Sequence, residues 1–126
     1  MKVLHISVAV AAMVVLASPA PAKNFRWICT YPVVANLEGV TKQEFKLEFI
    51  ADDIAQKAVV VGNAGMSDVD LHTGSYGVTF MEKLGGGAVQ TTTIANGGAS
   101  VHSRHTVKVE GKFIASQSYG QCKLVQ

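Results

Sequence analysis

Apolar and polar residues alternate with a period of two along most of the chain, and glycines cut the alternation into short lengths. Successive side chains on a strand point to opposite faces, so this period marks half-buried β-strands. FRWICTY (25–31) puts Phe25, Trp27, Cys29 and Tyr31 on one side. EFKLEFI (44–50) turns Phe45, Leu47 and Phe49 inward and Glu44, Lys46 and Glu48 outward. KAVVVGN (57–63) is an unbroken apolar run, which suits a strand packed on both faces. SDVDLH, YGVTFMEK, AVQTTTI, ASVHSRHTVKV and KFIASQSYGQCKLV extend the series. PVVANLEGVTKQ (32–43), with Pro32 and Gly39, reads as a loop or a single short turn, and ADDIAQ as a turn led by Asp52 and Asp53. Further breaks fall at 62–65, 73–75, 85–87, 96–98 and 110–111. No stretch carries a sustained helical stripe.

About eight short strands with closely spaced turns predict an all-β domain, a single small antiparallel barrel or sandwich. Consecutive hairpins favour a meander. Trp27, Phe45, Phe49, Phe80 and Tyr76 are the expected core aromatics. At this length a filled interior is expected.

The first residues do not join this pattern. MKVLHISVAVAAMVVLASPAPA has a basic start at Lys2, an apolar run of about 15 residues and a small-residue end. That is the layout of a secretory signal peptide. The run is shorter than the ~20 residues a membrane helix needs. Residues 1–22 are therefore expected to be removed after Ala22, leaving 23–126 as one domain, periplasmic or secreted. In the stretch LASP a proline stands where a lipidated cysteine would be, so no membrane anchor is expected. In an exported chain the two cysteines, Cys29 and Cys122, are expected to pair. They lie in the first and last strands, so the bond would staple the chain ends and close a barrel. Tyr119, nearby in sequence, is expected to pack on it.

The 126-residue chain carries a formal net charge of +2, with no basic stripe or polybasic run. That argues against a nucleic-acid partner and an anionic membrane surface.

The candidate chemistry sits in ANGGASVHSRHT (95–106). Asn96-Gly97 is a strong hairpin signal because both positions accept positive φ. A two-residue turn at either Asn96-Gly97 or Gly97-Gly98 would put Gln90, Thr92, Ile94, Val101, Ser103 and His105 on one face. Val89, Thr91, Thr93, Ser100, His102 and Arg104 would share the other. His102 and Ser103, or His102 and His105, then point apart. Ser103 and His105 share a face but lie about 6.5–7 Å apart, too far for a nucleophile and its base. There is no GxSxG elbow, no HxH and no HExxH. Neither an enzyme nor a cofactor or metal site is expected. Asp68 and Asp70 match no calcium loop and read as a solvated face.

Thr91, Thr93, His102 and Arg104 remain as a polar patch, in which Arg104 could grip a carboxylate or phosphate. Gln90, Ser103 and His105 would face inward. In outline the chain resembles the small periplasmic inhibitors of lysozyme, exported barrels with a disulfide tying the chain end to the sheet. Their functional loop carries a Ser-Gly-x-x-Tyr element, and no Ser-Gly occurs here, so no site residue follows. The expected role is non-enzymatic binding of a protein or glycan partner, as an inhibitor for example. The alternative is a small-ligand carrier using a barrel cavity.

Overall fold

A computed structural model describes residues 24–125, so the leader assigned to 1–22 lies outside the described residues. The chain is an all-β closed barrel of eight antiparallel strands in simple meander order. They are β1 (Asn24–Asn36), β2 (Gly39–Asp52), β3 (Lys57–Gly62), β4 (Gly65–Gly74), β5 (Gly77–Lys83), β6 (Val89–Ala95), β7 (Ala99–Val107) and β8 (Phe113–Val125). β8 returns to pair with β1, so the sheet closes on itself and has no terminal edge strand. This resolves the choice between barrel and sandwich.

Segment 32–43 is not a loop. β1 and β2 run on as a long hairpin whose turn lies between Asn36 and Gly39. Pro32 has no N–H to give to either neighbour, and both β1 ladders slip by one residue beside it. The bulge reverses the facing of the rest of β1, so Val34 points into the barrel after Tyr31. Gly85–Gly87, one of the expected breaks, forms a 3₁₀ turn.

Cys29 and Cys122 are bonded and directly opposite across β1 and β8. The Cys122 N–H donates to Gly98 O on the far side, 2.8 Å away. The cysteines therefore form a non-hydrogen-bonded pair, the type in which antiparallel Cα atoms come closest. Their Cα atoms are 4.0 Å apart. The core gathers around this staple: Cys29, Tyr31, Phe49, Ala51, Ala58, Val60, Val69, Phe80 and Ile94. Phe49 and Phe80 stack with centroids 4.3 Å apart, and Trp27 meets Phe80 edge-on at 5.6 Å.

Two aromatic expectations fail. Tyr76 stands at the β4–β5 turn and is 88% exposed, since the turn carries it off the pleated face. Tyr119 is also exposed, because β8 alternation turns it outward, where its hydroxyl donates to Gln117 Oε1. Tyr31 packs at the disulfide instead, with its hydroxyl 3.9 Å from Cys122 Sγ. Its ring lies over Gly120, where an added Cβ would meet Thr30 O at 2.1 Å. No other residue fits that position without a shift of the backbone.

Candidate functional site

The interior of the barrel is ordered by cross-strand register, in which directly opposed residues share a face. Three rows cross β5, β6, β7 and β8. The deepest is Val78, Ile94, Ser100 and Gly120. Above it run Phe80, Thr92, His102 and Ser118. Uppermost are Glu82, Gln90, Arg104 and Ser116.

The proposed surface patch is therefore divided. His102 and Arg104 face the interior with Thr92 and Gln90, whereas Thr91 and Thr93 face outward. Ser103 and His105, expected inside, also face outward, and His105 is exposed. The cause is one residue in the turn. Gly98 N–H donates to Ala95 O at 2.8 Å, so Asn96, Gly97 and Gly98 together form the connection. Gly98 has φ +95°, as the last position of a three-residue hairpin loop requires. A two-residue turn would have brought the other face of β7 inward.

The interior is not filled. A cavity of about 640 Å³ opens between the β3–β4 turn, Leu84 and Arg104. One wall is apolar, formed by Phe45, Leu47, Phe49, Val60, Val69 and Phe80. The other presents Gln90, Thr92, His102, Arg104, Ser116 and Ser118. Tyr31 and Ser100 lie beneath. Ser100 Oγ donates to Thr93 O at 2.9 Å, so the Tyr31 hydroxyl donates to Ser100 Oγ at 2.8 Å. Burial raises the Tyr31 phenol above its ordinary range, outweighing this hydrogen bond.

His102 is the buried titratable group of the polar wall, 8% exposed. Its Nδ1 shares a 2.8 Å hydrogen bond with Thr92 Oγ1. Its ring meets Phe45 edge-on at 5.6 Å and lies 5.8 Å from Tyr31. Burial, and then the nearby Arg104 charge, push its pKa down to about 4. A catalytic imidazole is oriented by a group that stabilises its protonated form. Here an uncharged hydroxyl, Thr92, holds the ring, and burial and the nearby Arg104 charge oppose protonation, so His102 is a neutral hydrogen-bonding group at pH 7. Ser118 faces His102 across the ladder, but the hydrogen bond of His102 goes to Thr92.

Arg104 donates from Nε to Thr106 Oγ1 at 3.1 Å. Among the described residues the ion pairs are Arg26 with Glu48 and Lys83 with Asp70, both away from the lumen. Among the described residues no three His, Cys, Asp or Glu side chains converge as metal ligands would. Sequence reasoning set Thr92 on the inward face beside Gln90 without singling it out, and it missed Ser118 as a wall residue. Both look like ordinary strand positions until β6 and β8 are set in register with β7. No protein family, curated protein or solved structure matches the chain.

Proposed function

We propose that this protein is a small-ligand binder that holds a partly apolar molecule in the lumen of the barrel. The observation that carries this reading is the cavity of about 640 Å³ with an apolar wall facing a polar one. Small-molecule sites are of this size and kind, mostly apolar with a few placed polar groups. Eight strands are also the number at which a barrel has room for one small ligand. The apolar body lies against Phe45, Leu47 and Val60, and the polar end meets Gln90, Thr92 and His102. The protein works outside the cytoplasm, a reading supported by the leader-like start and by a disulfide that suits an oxidising compartment.

The test is fluorescence titration with N-phenyl-1-naphthylamine, a neutral apolar probe that brightens on leaving water. Saturable one-to-one binding is expected, weakened at least tenfold by Ser116→Trp, which places an indole in the mouth. Absence of saturable binding, or binding indifferent to the plug, would refute a lumenal site.

A protein partner seated over the mouth is the second reading. Leu37, Val40, Met66, Val109 and Phe113, all at or beside the turns of that end, are more than half exposed. Replacing Leu37, Val109 and Phe113 together by serine should abolish capture of such a partner from envelope extract. Unchanged capture by the triple variant would exclude docking at the mouth.

A further inference from the structure

The upper row of the polar wall carries charge as well as hydrogen-bonding groups, and it lies at the opening. Arg104 lines the cavity there, in register with Gln90 on one side and Ser116 on the other. Its Nε–H is taken by Thr106. The Nη N–H groups have no carboxylate within ion-pair distance among the described residues. The other arginine of the described chain, Arg26, is matched on the outside of the barrel by Glu48. Glu82 is the lumen's second charged residue, separated from Arg104 by Gln90 and hence by two strand spacings, about 10 Å. Among the described residues no ion pair joins the two.

A guanidinium offers parallel N–H groups that match a carboxylate or sulfonate in two-point contact. At the lip of a low-dielectric cavity such a contact is worth more than in open water. Behind Arg104 the lumen becomes apolar on the β2–β3 side and uncharged on the β6–β8 side, where His102 stays neutral.

Resting on the lumenal reading above, we propose that the ligand is a monoanionic amphiphile whose acidic head is held by Arg104 at the mouth. Its apolar body lies inward against Phe45, Leu47 and Val60. Gln90 and Ser116 flank the head and supply further hydrogen bonds. Glu82, across Gln90, meets a donor group of the ligand and repels a second anionic one, which limits the acceptable charge.

Two probes that differ by one sulfonate test this on the full folded chain. They are 1-anilinonaphthalene-8-sulfonate and the neutral N-phenyl-1-naphthylamine. Arg104→Gln should weaken the anionic probe at least tenfold and leave the neutral one within twofold. Arg104→Lys should recover part of the loss, and Glu82→Gln should tighten the anionic probe alone. If Arg104→Gln weakens both probes equally or neither, the acidic-head proposal is overturned while the lumenal site stands. If the wild type binds neither probe, both are overturned. A melting curve for each variant, expected within a few degrees of wild type, separates lost binding from lost fold.

Discussion

Protonation of His102 should make the barrel acid-labile in a window where few other groups act. In the unfolded chain the imidazole titrates near its ordinary value of 6.5, and in the barrel its pKa is about 4. The folded state therefore disfavours the proton. Between these two values the unfolded chain binds more protons, so stability is lost as pH falls from 6.5 towards 4 and does not change further below that. Integrated from pH 7.5 to 5.0, the linkage amounts to about 2 kcal/mol. For a domain of this size that lowers the melting temperature by roughly 10 °C. Glu48, held below its ordinary range chiefly by its hydrogen bond from Arg26, acts in a lower window. Its contribution is lost only as pH falls below 4.5, so stopping at pH 5.0 leaves it nearly constant. The assay is urea denaturation at both pH values for wild type and His102→Gln. Glutamine keeps a hydrogen-bonding group beside Thr92 but has no proton to take up. The wild type should lose about 2 kcal/mol between the two pH values and the variant far less. Equal losses would show that His102 is not the buried, proton-excluding group described above.

Other perturbations test the frame that holds the site. Reducing the Cys29–Cys122 bond, or Cys122→Ala, releases a sequence separation of 93 residues and should lower unfolding stability by roughly 2–5 kcal/mol. A urea midpoint unchanged by reductant would contradict this. Gly97 and Gly98 are neighbours in the hairpin turn but differ in what they require. Gly98→Ala adds a Cβ at positive φ, 2.7 Å from Cys122 O, whereas nothing lies within 4 Å of one at Gly97. Gly98→Ala should cost about 1–3 kcal/mol and Gly97→Ala under about 0.5. Equal thermal shifts would mean that the turn is not the three-residue form that sets the facing of β7.

The strands were legible because alternation is a local property. Phe45, Leu47 and Phe49 point the same way whatever the rest of the chain does, and a closed sheet needs such a face on every strand. The disulfide was legible because two cysteines behind a leader-like start leave one expected pairing. The polar wall was not legible, because it depends on which residues of β6 oppose which of β7. Local composition on β7 gave no warning. Val101, its most apolar central residue, faces outward, while His102 and Ser100 are buried. Similarly, Pro32 announced a break, but not that the strand would continue past it with reversed facing.

The sequence by itself determined the strand-forming segments, the inward set within most of them and the pair of cysteines that joins the ends. These follow from a period-two pattern and a count. Only the tertiary structure decided that the sheet closes as a barrel, that its interior stays open, and that His102 and Arg104 look into it. The physical reason is register. One additional turn residue at Gly98 changes every partner across β6 and β7, and the space left inside depends on the summed volumes of side chains that meet only after closure.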